Sequence, residues 1–293
     1  MKELVVISGK GGTGKTSIAA ALALLADKPV VADCDVDAAD LHLLLAPEIV
    51  ETHEFMSGHK AFIRAADCTG CGKCAKLCRF NALEKRTAAD GRTVYAVDPV
   101  SCEGCGVCVR FCPARAIDFP DSRCGEWIVS ETRVGPMVHA RLAAAAENSG
   151  KLVSLVRKEA RRVAEEQGRT LVIVDGPPGI GCPVIASLTG ANWVLVVTEP
   201  TVSGEHDMLR VLELARHFEI PTAVCVNKYD INLGMALRIE SAAQENGAFI
   251  VGRIPYDRAV TEAQIMGKSV VETGGPAAEE IEAMWRKLCR ILN

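Results

Sequence analysis

Two groups of residues in this chain of 293 have the types and spacing that chemistry needs. The first is Gly9-Lys10-Gly11-Gly12-Thr13-Gly14-Lys15-Thr16, a GxxxxGK[ST] run set between an apolar stretch and a helix-forming one. Its glycines let backbone N–H groups curl around a phosphate chain. Lys15 is placed to reach the β- and γ-phosphates, and the Thr16 hydroxyl to ligate Mg²⁺. The stretch from Gly9 to Ser17 is therefore expected to hold a nucleotide, ATP or ADP. The second group is a pair of cysteine runs, Cys68-x2-Cys71-x2-Cys74-x3-Cys78 and Cys102-x2-Cys105-x2-Cys108-x3-Cys112-Pro113. The chain has 13 cysteines, and their crowding into one region points to thiolate ligands rather than a disulfide framework. The opening apolar run, Leu4 to Ile7, is too short for a signal segment or a membrane span, so a reducing, cytoplasmic setting is expected.

Carboxylates suited to a metal–phosphate site end two further apolar runs. Val30-Val31-Ala32-Asp33-Cys34-Asp35-Val36-Asp37 carries three acids at alternate positions. Ligands of open α/β folds bind at such strand ends. Leu171 to Asp175, followed by Gly176-Pro177-Pro178-Gly179, has the form of a Walker B strand running into a loop that senses the γ-phosphate. Asp175 is expected to hold Mg²⁺ through water, and the Gly/Pro turn to move with nucleotide state.

Lys10, directly after the first glycine of the loop, is not required by the generic motif. With it the sequence resembles the deviant Walker A family that includes MinD, ParA, the nitrogenase iron protein and the Mrp-type cluster carriers. The resemblance implies that Lys10 reaches the phosphates of a partner subunit in a nucleotide-sandwich dimer, either a homodimer or a heterodimer with a close paralogue. It also implies that Asp35 orients or activates the attacking water, with Asp33 and Asp37 in Mg²⁺ or switch roles. Asn227 would contact the adenine, and Ile254-Pro255-Tyr256-Asp257 would line the same pocket. Cys182 follows Asp175 by seven residues, a remove similar to that of a cluster-ligating cysteine in the nitrogenase iron protein, at a position facing the dimer axis in the family. It is either a packing residue or a functional dimer-axis thiol. The stretch 147–151 offers no upstream cysteine to pair with it.

The doubled cysteine pattern matches the spacing of bacterial ferredoxins with two [4Fe-4S] clusters. In that arrangement three thiolates of each run bind one cube and the fourth reaches the other. One cluster would use Cys68, Cys71, Cys74 and Cys112, the other Cys102, Cys105, Cys108 and Cys78. Tetrahedral zinc is the competing reading of paired CxxC motifs, and the eightfold doubled pattern disfavours it. One departure is Arg79, where ferredoxins usually have proline after the fourth cysteine of a run. Two cubes in one small module imply electron transfer.

The elements that must position these residues alternate along the chain. Buried strands are expected at Leu4–Ser8, Val30–Asp33, Leu171–Asp175, Val194–Thr198, Ala223–Asn227 and Phe249–Ile254. Helices are expected at Lys15–Ala26, Lys151–Gln167, Glu205–His217, Gly234–Asn246 and Ala277–Leu292. The fold class is α/β, a mostly parallel-sheet P-loop NTPase of the MinD-like (SIMIBI) kind. Residues 1–55 and 122–293 would form this discontinuous ATPase domain, and 56–121 an inserted ferredoxin-like α+β module with a hairpin near Asp90–Val97. Aromatic residues are only 4%, so the core must be built from Val, Ile, Leu and Ala. A net charge of −4 gives no overall reason to bind nucleic acid, and the mixed charges of the last helix argue for core packing over stable membrane association. The expected function is an ATPase that couples dimer closure to electron transfer, or to assembly or delivery of a cluster, for a redox or metallocluster client protein. The alternative is a ParA/MinD-like positioning or partitioning ATPase whose clusters sense redox state or support structure.

Overall fold

The computed structural model describes residues 1–143 and 149–292. Its strands are β1 (Lys2–Ser8), β2 (Val30–Asp33), β3 (Glu48–His59), β4 (Phe62–Ile63), β5 (Leu83–Thr87), β6 (Thr93–Val97), β7 (Ile117–Asp118), β8 (Asp121–Thr132), β9 (Gly135–Leu142), β10 (Leu171–Pro178), β11 (Trp193–Thr198), β12 (Thr222–Asn227) and β13 (Phe249–Ile254). Its helices are α1 (Lys15–Leu25), α2 (Leu41–Leu45), α3 (Lys73–Leu77), α4 (Val107–Arg110), α5 (Ser149–Glu166), α6 (Cys182–Leu188), α7 (Val202–His217), α8 (Leu233–Glu245), α9 (Arg258–Ile265), α10 (Val270–Thr273) and α11 (Pro276–Leu292).

Among the described residues the chain divides into two compact units, one of residues 1–53, 126–142 and 149–292, the other of 54–125 with residue 143. The large sheet runs β13-β12-β11-β1-β10-β2-β9-β8-β3, and every pairing from β13 through β9 is parallel. Within the first unit, alternate strand residues serve opposite faces. Leu4, Val6, Val31, Ile173, Leu195 and Val197 join α1, α2, α10 and α11 in one buried cluster. Their neighbours Val5, Ile7, Val172, Val174, Val194 and Val196 are equally buried, on the side where α5 to α8 contact the strands. A strand covered on both faces reads as a continuous apolar run, which is why the central strands stand out in the sequence. The last helix buries Ile281, Met284, Leu288 and Leu292 in the core. Among the described residues no helix is long and apolar enough to cross a membrane.

Two local differences from expectation matter. β10 continues through Gly176-Pro177-Pro178 rather than ending at Asp175. Gly176 permits this, because a Cβ there would lie 2.6 Å from the Ile7 methyl of β1. The hairpin spans β5 and β6, paired from Leu83↔Val97 to Thr87↔Thr93, and is longer than the segment near Asp90–Val97.

The second unit has a thin core. Ala61, Ile63 and Ile117 are buried together, and the side chains packed on them include Cys68, Cys74, Cys102, Cys108 and Cys112. So few and such small apolar residues are a weak basis for a module of this size, which commonly needs a metal or cross-links to hold its fold.

Candidate functional site

In the first unit, parallel strands bring the carboxyl ends of β1, β2, β10 and β12 to one edge, where β1 feeds the phosphate loop into α1. Gly14 caps α1 with φ +87°, a left-handed conformation costly for any residue with a Cβ. A Cβ there would also sit 2.5 Å from the Asn227 side-chain nitrogen. That nitrogen donates to the Thr13 carbonyl at 2.8 Å, and the Asn227 oxygen accepts from the Lys228 amide at 3.0 Å. Lys228 Nζ donates in turn to the Gly12 carbonyl at 3.2 Å. The last residue of β12 and the one after it thus fix the loop from outside it.

Lys15 is buried and ion-paired to Asp175 Oδ1 at 2.6 Å and to Asp35 Oδ2 at 3.6 Å. Burial disfavours its charge, but Asp175, Asp35 and Asp33 together outweigh that and raise its pKa. Asp33 is fully buried and is the structural member of the acidic trio. Its carboxylate accepts from the Asp35 amide at 3.1 Å and the Leu41 amide at 3.3 Å. Burial, with the nearby charge of Asp175, pushes it well above the usual carboxylate range. Asp35 lies beyond the end of β2, is only partly buried, and lines the cleft together with Asp37. Its pKa is also raised by burial, against the opposing pull of Lys15.

The cleft measures about 660 Å³ and is bounded by Gly11, Gly12, Thr13, Gly14, Lys15, Thr16 and Ser17 on one side and by Asn227, Pro255 and Tyr256 on the other. Gln264 of α9 donates to the Ser17 hydroxyl at 2.7 Å. Two buried oxygens at this site, Thr13 Oγ1 and Asp175 Oδ2, have no hydrogen-bond partner among the described residues. Orphaned buried oxygens beside a bound lysine fit a site for a hydrated cation and a phosphate chain.

Lys10 lies apart from Lys15. Its ammonium pairs with Glu199 at 2.5 Å and donates to Thr201 Oγ1 at 3.3 Å and Ser203 Oγ at 3.2 Å. Glu199 also pairs with Lys228 at 3.4 Å. Burial pushes Glu199 upward, but the two lysines prevail and hold it below its ordinary value. Sequence reasoning missed Glu199 and Lys228; the only signals were a carboxylate just past β11 and a lysine beside Asn227. Cys182 opens α6 as an exposed thiol, with Gly150 packed near it. Of the stretch searched upstream for a partner cysteine, Glu147 and Asn148 lie outside the described residues.

In the second unit the two cysteine runs fold alike. Gly72 and Gly106, both left-handed, start α3 and α4. Cys68, Cys71, Cys74 and Cys112 line one small apolar pocket with Ile63, Tyr95 and Ile117. Cys78, Cys102, Cys105 and Cys108 line another with Ala61, Leu83, Val97 and Phe119. Each pocket therefore takes three cysteines from one run and one from the other. Among the described residues no group of His, Cys, Asp or Glu converges as a single metal ion requires. Of the remaining cysteines, Cys34, Cys124 and Cys225 are buried and Cys289 is partly buried; burial raises Cys225 to about 12, as expected of an inert packing thiol.

The sequence model described as the CobQ/CobB/MinD/ParA nucleotide binding domain matches residues 4–270. The chain is 30% identical over 290 residues to the uncharacterized protein MJ0578 of Methanocaldococcus jannaschii, covering 98% of this chain and 96% of that one. It is 24% identical to the uncharacterized protein MJ0579 of the same organism over 284 residues, 93% of each chain. Among solved structures it resembles the septum site-determining protein MinD complexed with Mg-ADP from Pyrococcus horikoshii, with a TM-score of 0.59, 15% identity, and coverage of 100% of this chain and 98% of that one. A phosphate loop on the first strand of a mostly parallel sheet, matched across most of its length, places the chain in the CobQ/CobB/MinD/ParA nucleotide-binding family, as a MinD/ParA-like P-loop ATPase.

Proposed function

We propose that this ATPase is Mg²⁺-dependent, that ATP closes a dimer, and that the second unit carries two [4Fe-4S] clusters whose redox or delivery function is governed by that closure. The observation that carries the reading is the sorting of eight cysteines into two apolar pockets, three plus one in each. The clusters would supply one-electron chemistry, with Cys68, Cys71, Cys74 and Cys112 holding one and Cys78, Cys102, Cys105 and Cys108 the other. The thin apolar core supports the same reading, since thiolate-bound clusters would complete it.

At the nucleotide site, Lys15 exchanges Asp175 for the β- and γ-phosphates. Asp175, with its orphaned oxygen, and the Thr16 hydroxyl would hold a hydrated Mg²⁺, which would neutralise charge on the phosphates. Asp35, partly exposed at the cleft and raised in pKa, orients the attacking water. Lys10 leaves Glu199 to reach the partner's phosphates. Asn227 and Pro255 flank the base. A heterodimer with a paralogue is as compatible as a homodimer, because two relatives in one organism both match nearly the whole chain. The client is a redox or metallocluster protein.

The family match and the likeness to a septum site-determining protein bear more directly on a second reading, a positioning or partitioning ATPase whose clusters sense redox state or brace the fold. One experiment separates the two: ATP turnover and ATP-dependent dimerisation of anaerobically purified protein, with the iron oxidised and with it reduced by dithionite. The first reading requires turnover to change severalfold with oxidation state. Identical turnover and dimerisation in both states leaves the second.

A further inference from the structure

We propose that the face formed by α3 and α4 in the second unit is the docking surface for an acidic one-electron carrier protein, a reading that rests on the cluster assignment above. The segments 73–80 and 106–111 contain no Asp or Glu but four exposed cations, Lys73, Lys76, Arg79 and Arg110. Among the described residues none of the four has a carboxylate partner. Between them lie large apolar side chains at the surface, with Leu77 39%, Phe80 43% and Phe111 47% exposed. The two helices are in contact, and Phe111 sits at the junction, with Lys73 Nζ 5.7 Å and the Arg110 guanidinium 5.9 Å from its ring centre. An apolar centre with a basic rim is half of an electrostatically steered interface.

The rim is basic, so the face selects an acidic partner, and two copies of this chain meeting through the same face would set like charges against each other. Its place selects a redox partner. Both helices carry cysteines of the two pockets, Cys74 with the following Cys78 and Cys108 with the following Cys112, so a carrier seated here lies over both. Arg79 gains a role in this account. Where ferredoxins usually have proline, this chain adds a cation to the rim. Electron balance is simple: one electron leaves the carrier and reduces one cube by one unit of charge, with no proton or bond exchanged.

The test uses the anaerobically purified full chain with flavodoxin, a small acidic flavoprotein, as the probe. Binding to the oxidised protein is measured by calorimetry across a salt series, and cluster bleaching by flavodoxin hydroquinone is measured by stopped flow. The triple variant Lys76→Glu/Arg79→Glu/Arg110→Glu is expected to weaken binding by about tenfold or more and to flatten its salt dependence. Reduction by methyl viologen radical, which needs no docking face, should be unchanged. If the reversal variant loses iron, Arg79→Gln/Arg110→Gln replaces it, with a smaller loss of binding expected. Equal affinity and salt dependence in wild type and variant overturns the proposal, as does preferential binding of this face to phosphatidylglycerol vesicles. A failure of the cluster reading is recognised separately, as absence of iron and of any viologen bleaching in the wild type.

Discussion

Replacing Lys15 with alanine removes the cation that balances a buried acidic site, and the structure allows the cost to be worked out. The Lys15–Asp175 contact is 2.6 Å, with side-chain exposures of 6% and 1%. At an effective dielectric of about 20, the gross attraction is roughly 6 kcal/mol. Removing one partner also removes the desolvation cost of Lys15 itself, and breaking such buried pairs costs about 3–5 kcal/mol net. The cleft admits water, so the lower figure applies, and a loss of about 3 kcal/mol lowers the melting temperature by roughly 6–12 °C. The deficit should depend on pH with a definite sign. Burial and neighbouring acids already hold Asp33 well above 3.8, and Lys15 opposes them. A carboxyl with a raised folded-state pKa binds its proton more tightly when folded. Its penalty is therefore absent at pH values below the unfolded one and grows as pH climbs through the folded one. Without Lys15 this penalty deepens, so the variant falls furthest behind at neutral pH and recovers on acidification. The assay is thermal unfolding in chelator, without nucleotide, from pH 5 to 8, followed by tryptophan fluorescence; Trp127, Trp193 and Trp285 all report on the first unit. Adding Asp175→Asn should restore part of the loss. Wild-type melting in Lys15→Ala, or a double variant no more stable than the single, would refute the reasoning.

Asp35→Ala is expected to keep ATP binding and to accumulate the ATP-bound dimer with hydrolysis reduced by about 100-fold or more; turnover at the wild-type rate would move the water-orienting role to Asp37. Gly14→Ala combines strain of about 1–2 kcal/mol at φ +87° with a collision against Asn227, so calorimetric ADP affinity should fall by about tenfold or more, and unchanged affinity would show that the loop repacks freely. Cys71→Ser should lower iron content to about half, because its pocket keeps three thiols while the other keeps four; a complete loss would indicate that the clusters do not assemble independently.

The sequence disclosed those parts of the fold whose neighbours cover both faces. β2 coincides with the expected span, and β1, β11 and β12 extend theirs by no more than two residues, because strands buried on both sides must be apolar throughout; β13 also coincides, although it is an edge strand with Phe249 and Arg253 exposed. β3 was invisible for the opposite reason. It is an edge strand, exposed at nearly every position and carrying Glu48, Glu51 and Glu54, so neither apolar continuity nor alternation marks it. β8 and β9 were also missed, because Arg123, Glu126, Glu131 and Arg141 interrupt their apolar pattern. At the nucleotide site the motif residues could be named but not their tethers. The Glu199 grip on Lys10 and the Lys228 bond to Gly12 join positions about 190 to 216 residues apart, and no local spacing rule reaches across that separation. Asp33 shows the converse limit. As one of three alternating acids it was expected to share Mg²⁺ or switch roles with Asp37, and only the backbone amides it accepts from distinguish a buried brace from a residue facing the cleft.

The measurement that bears most directly on the central claim is the content of iron and acid-labile sulfide in anaerobically purified full-length protein. Two pockets of four cysteines each predict about eight iron and eight sulfide per chain. Iron near zero with stoichiometric zinc would contradict the account and leave an ATPase whose second unit is a zinc-braced module.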